Sequence, residues 1–365
     1  MADPTQAHGA REQLLAEARR LGFEAVGIAR ADVPLDRDYE RYLAFVADGK
    51  QGEMQWLASL PEARQRLDGE HVLPGARSVL CVARRYARSE EEEASDPESA
   101  KAIARYARGR DYHNGMRKKL RRLASFARTL SEGARARPLC DEEPVLERAW
   151  AARAGLGFVG KNGLLIVPGV GSFVLLGEVV TTLDLDADAP IPERCGSCTL
   201  CLDACPTDAF EAPFVLDARK CVAYLTIEHR GPIDETLRRG VGEHVFGCDD
   251  CQLVCPFNAA RGRRAKTPLD SRFFPDARWS EVRLEDFLSL DEPAFLALRE
   301  GSPVGRATRE GLARNAAIVL GNRRDEAALP VLRRAHETHE SALVREAAAW
   351  AITHICGALA TDERR

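Results

Sequence analysis

Eight of the eleven cysteines in this 365-residue chain fall between Cys195 and Cys255, and their spacing constrains the middle of the chain more than any other feature. Cys195-x2-Cys198-x2-Cys201-x3-Cys205-Pro206 has the bacterial ferredoxin spacing, and Cys248-x2-Cys251-x3-Cys255-Pro256 repeats its second part. Three thiolates on one tight loop can cover three corners of a cubane cluster. The fourth comes from elsewhere, and the cysteine before the proline typically serves the other cluster. The first cluster then takes Cys195, Cys198, Cys201 and the crossing Cys255. The second takes Cys205, Cys248 and Cys251, and Cys221, the remaining cysteine of the segment, completes it. Structural zinc sites generally use separated CxxC pairs, so this run predicts two 4Fe-4S clusters. Cys81, Cys140 and Cys356 are expected to be small buried packing residues. A cluster module carries single electrons and breaks no bonds by itself, so another part of the chain must receive them.

The rest of the chain reads as ordinary globular sequence, with 45% hydrophobic and 30% charged residues. A formal net charge of −4 excludes an overall basic protein but not a local basic face. The N-terminal residues show no secretory pattern. The most apolar stretch, Leu164 to Val180, is interrupted by Pro168, Gly169, Gly171 and Gly177, which argues against a membrane span. A cytoplasmic protein is therefore expected, in which clustered cysteines bind metal in preference to forming disulfides.

Three regions follow from the patterning. Residues 1–185 predict an α/β (α+β) domain: a helix from Arg11 to Leu21, a strand over Glu24–Ile28, a buried strand over Ser78–Ala83 and a helix from Pro144 to Gly155. Leu164–Val167 and Phe173–Thr182 read as further strands, and Glu90–Glu93 as a solvated loop. Residues 186–262 form an inserted ferredoxin-like module. Residues 284–360 predict an all-α, HEAT-like repeat region from Leu312, Ala316, Val319, Leu332, Leu343, Ala347 and Trp350.

Several long motifs carry a family resemblance. Cys140-Asp141-Glu142-Glu143-Pro144-Val145-Leu146-Glu147-Arg148-Ala149 and Gly155-Leu156-Gly157-Phe158-Val159-Gly160-Lys161-Asn162 resemble epoxyqueuosine reductase, as do Gly171-Ser172-Phe173 and Leu176-Gly177-Glu178. So do Arg105 to His113, Cys221 to Thr226, Gly247 to Gln252 and Arg314 to Asn322. The resemblance covers nearly the whole chain. It implies a cobalamin-dependent reductase with two 4Fe-4S clusters, which removes the epoxide oxygen of epoxyqueuosine at the tRNA wobble position to give queuosine. It also implies Asp141 as proton donor, with Arg66, Asp141, Leu165, Leu176, Ala223 and the Cys248-Asp249 backbone at the corrin, and no protein imidazole on cobalt. His113 and His244 are accordingly expected to be structural or surface residues. By sequence alone, acids before a helix start are dipole-stabilising residues. An acid working near neutral pH needs a raised pKa, so a largely desolvated Asp141 is expected, with Glu142 as a local competitor.

A basic strip from Lys101 to Arg137, interleaved with Tyr106 and Tyr112, suits contact with an RNA anticodon loop. Arg261, Arg263, Arg264 and Lys266 form a second basic group, and Arg306, Arg309 and Arg314 a third. The implied partners are tRNA bearing epoxyqueuosine and an external electron donor, and nothing in the sequence requires more than a monomer. Two other classes compete: a reductive dehalogenase-like cobalamin reductase of small molecules, and a plain electron-transfer ferredoxin with accessory domains. The first has no evident use for the basic strip or the helical C-terminal region, and the second none for the long motif between Asp141 and Asn162.

Overall fold

In the computed structural model the described residues are 4–141, 143–259 and 268–362. Glu142 and the basic group Arg261, Arg263, Arg264 and Lys266 lie outside them. The N-terminal domain is built on a four-stranded sheet of β1 (Ala25–Arg30), β2 (Ser78–Arg85), β3 (Ala136–Leu139) and β4 (Val174–Thr181). The strand order is β1-β2-β4-β3 and every pairing is antiparallel. Continuous β-branched and aliphatic runs fit strands covered on both faces, and all eight residues of β2 are buried.

Two helices, α1 (Pro4–Arg20) and α2 (Tyr112–Arg128), cover one face. A third, α3 (Glu147–Arg153), covers the other. Gly177 shows why α2 sits so close, since a Cβ there would stand 2.7 Å from Leu120 Cδ1. Across the opposite face runs a paired row, Gly27, Cys81, Glu178 and Leu139. Gly27 has no side chain because the Ala154 carbonyl, just past α3, occupies the place of its Cβ. That row therefore packs beneath α3 and puts a carboxyl, Glu178, into an apolar layer.

Two segments differ from the sequence expectation. Glu90–Glu93 is a short helix, not a solvated loop: Ser89 and Glu92 form a reciprocal capping box. Glu93 is buried and pairs with Arg105 at 2.7 Å. The helix expected from Pro144 begins at Glu147; ahead of it the Cys140 and Asp141 N–H groups are taken by the side chains of Glu143 and Glu147.

The cysteine-rich segment contains only short elements. The helices Leu200–Asp203 and Asp250–Leu253, each beginning inside a cysteine loop, pack against each other. Ser172 and Asn258 stitch this segment to the sheet domain: the Ser172 N–H donates to Asn258 Oδ1 at 2.8 Å, and the Ser172 hydroxyl donates to Gln252 Oε1 at 2.9 Å. Beyond it, helices α4 (Arg309–Arg323), α5 (Leu329–Thr338) and α6 (Ala342–Asp362) pack together. They share one hydrophobic core with the cysteine-rich segment. The join is polar as well as apolar. Buried Arg314 donates to the carbonyls of Leu225, His229 and Gly231, and Asn315 donates to those of Thr226 and Val245.

Candidate functional site

The cysteine loops come together as two groups. Cys195, Cys198, Cys201 and Cys255 line one cavity of about 260 Å³, with Lys161, Asn162 and Ile166 on its wall. Lys161 braces that loop by donating from Nζ to the carbonyls of Gly196 and Cys198 at 2.6 and 2.9 Å. Cys205, Cys221, Cys248 and Cys251 are the second group. Burial raises the Cys221 thiol and the Cys205 thiol adds to the effect, while Cys221 and Cys251 both act on Cys248. Backbone N–H groups point at the sulfurs of both sets, as from Ala209 to Cys205 at 3.3 Å. Such bonds stabilise a thiolate and tune a bound cluster. Of the outlying cysteines, Cys81 and Cys140 are buried as expected, whereas Cys356 is only half-buried.

Asp141 stands at the C-terminal end of β3. Its backbone has φ +62°, a left-handed conformation unusual for a side chain with a Cβ. The carboxylate accepts the Tyr112 hydroxyl at 2.7 Å and His113 Nε2 at 3.1 Å. Asp111 caps the start of α2 through the His113 N–H and also holds His113 Nδ1 at 2.6 Å. The imidazole is therefore clamped between two carboxylates, and its pKa rises to about 9, first through the Asp111 bond and then through the Asp141 bond. Reciprocally, the His113 bond holds the Asp141 carboxyl below the usual range, with Tyr112 adding to it.

This corrects two expectations. The Asp141 pKa is not raised: its side chain is 52% exposed, and the His113 bond outweighs the partial desolvation and shifts the carboxyl downward. His113 is not a bystander but the cation of the site. With these shifts the imidazole is cationic and the Asp141 carboxyl anionic at neutral pH. The sequence signal was available in Asp111-Tyr112-His113, an N-cap acid beside a histidine, but the partner 28 residues on was not.

An aromatic contact path joins this group to the second cysteine loop. Tyr106 packs against Tyr112 with ring centroids 6.1 Å apart and against Phe246 at 6.2 Å, and Phe246 precedes Cys248 by two residues. The Arg105 backbone N–H donates to Asp249 Oδ2 at 2.9 Å and its guanidinium reaches the same oxygen, locking this strip onto the loop.

The residues expected at the corrin are distributed unevenly. Leu176 is half-buried at the edge of the core beneath α3, and Ala223 is half-buried beside Cys221. Leu165 is 2% exposed, so its side chain belongs to the core. Arg66 lies on the outside, 49% exposed and paired with Asp68 at 2.7 Å. The half-buried Leu176 and Ala223 side chains are apolar, as a surface against a corrin face requires. Both His113 ring nitrogens are engaged, and His244 Nε2 is held by Asp250 at 3.1 Å.

The basic strip divides in two. Arg105 and Arg108 pair internally with Glu93, Asp96 and Asp249, so they are not surface contacts. Lys118, Arg121 and Arg122 remain exposed along α2. In the third group Arg314 is 1% exposed and structural, and Arg309 pairs with Glu292 and Glu340. Arg306 is 53% exposed, lies over the exposed Trp56 ring at 5.6 Å and lowers the Asp141 carboxyl by its charge. No helix among the described residues is long and apolar enough to cross a membrane.

Residues 66–142 match the family described as "Epoxyqueuosine reductase QueG, DUF1730", and residues 194–258 match a "4Fe-4S double cluster binding domain". An epoxyqueuosine reductase from Gloeobacter violaceus is 45% identical over 85% of this chain and 95% of that protein. One from Xanthomonas campestris is 40% identical over 96% of each. A crystal structure of epoxyqueuosine reductase with an epoxyqueuosine-modified tRNA-Tyr stem loop superposes with a TM-score of 0.83 at 29% identity, covering 95% of this chain and 90% of that one.

Proposed function

Since the chain belongs to the epoxyqueuosine reductase family, we propose that it is the oxidoreductase that converts epoxyqueuosine in the tRNA anticodon loop to queuosine. The reaction takes two electrons and two protons, turns the epoxide into an alkene and releases its oxygen as water. The observation that carries this reading is the convergence of a proton-holding group, His113 with Asp141 and Tyr112, on an aromatic path that starts two residues from Cys248.

The double-cluster segment supplies electrons singly. We assign Cys195, Cys198, Cys201 and Cys255 to one 4Fe-4S cluster and Cys205, Cys221, Cys248 and Cys251 to the other, fed by an external donor. Cobalamin, when bound, would supply a low-valent cobalt able to deliver both electrons to the strained epoxide. Leu176, Ala223 and the main chain at Leu165, Cys248 and Asp249 would hold it, with Arg66 as an outer contact. Asp141 orients His113 and accepts the Tyr112 hydroxyl. The His113 proton passes across the Asp141 carboxylate to the oxygen leaving carbon, as general acid catalysis requires.

The substrate base must leave its stack to reach Asp141, at a cost of a few kcal/mol. Exposed Lys118, Arg121, Arg122 and Arg306 would take backbone phosphates. The domain reading is a corrin-binding sheet domain over 1–185, the cluster module over 186–262 and HEAT-like helices over 284–360 as an RNA-facing buttress. A cytoplasmic monomer accords with a tRNA substrate.

The test is anaerobic turnover of epoxyqueuosine-containing tRNA by the reconstituted chain with cobalamin and a reductant, followed by mass spectrometry of the digested nucleosides. Loss of one oxygen from the modified base is expected. An unchanged base in protein loaded with both clusters and cobalamin would overturn the reading.

A further inference from the structure

Asp141 presents its carboxylate to Tyr112 and His113 from a left-handed backbone conformation. Two acidic side chains secure that loop. The Cys140 N–H donates to Glu143 Oε2 at 3.1 Å, and the Asp141 N–H donates to Glu147 Oε1 at 2.8 Å. Glu147 is the first residue of α3, so the latch is mounted on a rigid element. Behind it, in the row beneath α3, lies Glu178. It is fully buried, no N–H or hydroxyl among the described residues donates to its oxygens, and the Glu147 carboxyl lies against it at hydrogen-bonding distance. A buried carboxylate with no donor is strongly disfavoured. Two carboxyl groups in contact persist only if they share a proton.

We propose that Glu147 is a positioning residue for Asp141, its carboxyl oxygen fixing the Asp141 N–H and hence the acid's direction, with the buried Glu178 carboxyl bracing Glu147 from behind. The proposal rests on Asp141 being an acid–base group of the reaction described above.

The surroundings agree. Burial, then the charges of Asp141 and Glu143, push Glu147 up to about 7, against the pull of the Asp141 N–H and of Arg148. Burial, then Glu147 and Glu143, push Glu178 well above the usual range. The other titratable groups facing the pair are the thiols of Cys81 and Cys140, both pushed up chiefly by burial, with Arg117 acting on Cys140. Both carboxyls are therefore shifted upward, and the pair retains a proton well above the usual carboxyl range. Glu147 gains its charge, and grips the N–H more tightly, as pH rises through about 7.

The test uses the full chain and two readouts. The first needs no substrate: titration of His113 by NMR in histidine-labelled protein. In Glu147→Ala the Asp141 carboxylate loses its fixed direction, so the His113 pKa falls from about 9 toward its usual value. In Glu147→Gln, which keeps an acceptor oxygen, it stays within half a unit or so. The second readout is turnover. Glu147→Ala should lower kcat on the order of tenfold or more with KM for tRNA unchanged. Glu147→Gln should keep most of kcat but lose the rise in rate near pH 7. Glu178→Ala, which removes the brace, should shift the His113 titration in the same direction as Glu147→Ala but by less; no shift would overturn the bracing role.

An unchanged His113 titration in Glu147→Ala would overturn the proposal. So would a parallel loss of iron, tRNA affinity and kcat in both Glu147 variants, which marks a merely structural residue. A chain inactive on the tRNA in every form, but with the His113 shift as described, would count against the assigned reaction and not against the latch.

Discussion

Replacing His113 with Asn removes the cation between Asp111 and Asp141 while leaving a side chain able to donate to Asp111. The His113 side chain is 22% exposed, and its pKa rises from 6.5 to about 9 on folding. A group whose folded pKa is raised contributes stability that is complete below its unfolded pKa and lost as pH passes the folded one. Linkage gives a contribution of about 3 kcal/mol near pH 6, about 2 near pH 7.5 and only about 0.2 near pH 9.5. The lowered values of Asp111 and Asp141 are the other side of the same bonds and add nothing further. Urea unfolding of the full chain and the Asn variant at those three pH values measures the difference directly. The gap should be widest in mild acid and close in alkali. A gap that is independent of pH, that widens with pH, or an imidazole titrating near 6.5 in the wild-type chain would refute the clamp.

Wild-type turnover should fall as pH rises through about 9, where the imidazolium is lost; a flat alkaline limb in the chemical step would separate His113 from proton delivery. Asp141→Asn should lower the chemical step by about 10²–10⁴-fold with cobalamin binding and iron content intact, and unimpaired turnover would remove Asp141 from the reaction. Cys221→Ala should reduce iron by about half, since one of two clusters loses a ligand, and full iron loading would refute the ligand assignment. Arg314→Met leaves the carbonyls of Leu225, His229 and Gly231 without their donor. It should cost roughly 3–5 kcal/mol, visible as a lowered urea midpoint; an unchanged midpoint would show that water replaces the guanidinium freely.

What the sequence made legible was whatever depends on short spacing. The cysteine runs are local; Cys195, Cys198, Cys201 and Cys255 line one cavity, and the segment matches a double-cluster domain. The strands at Ser78 and Phe173 were legible because continuous apolar runs mark buried strands. Charge was the hard part. Arg105 and Arg108 read as an RNA-facing strip, yet their partners Glu93, Asp96 and Asp249 are brought in by tertiary structure. Glu93 itself was hidden in an acidic run, although Ser89-x-x-Glu92 is a helix start that could have been read. Asp141 was legible only by resemblance, and its ionisation was misjudged because the deciding cation, His113, is held by a second acid at the start of another helix. Glu178 gave no local sign, since a glutamate within a strand is normally solvent-facing.

The cavity lined by Cys195, Cys198 and Cys201 takes its fourth wall from Cys255, from a second loop some sixty residues further along the chain. On the proposed ligation this orders the protein's manufacture. A nascent chain emerging from the ribosome completes the second ligand set only at Cys251 and the first only at Cys255, four residues later, so both clusters must be inserted late and nearly together. The helices that follow then close over the finished segment through Arg314 and Asn315. Iron delivery, and not the folding of the sheet domain, would then be the step at which an incomplete molecule can be recognised and discarded.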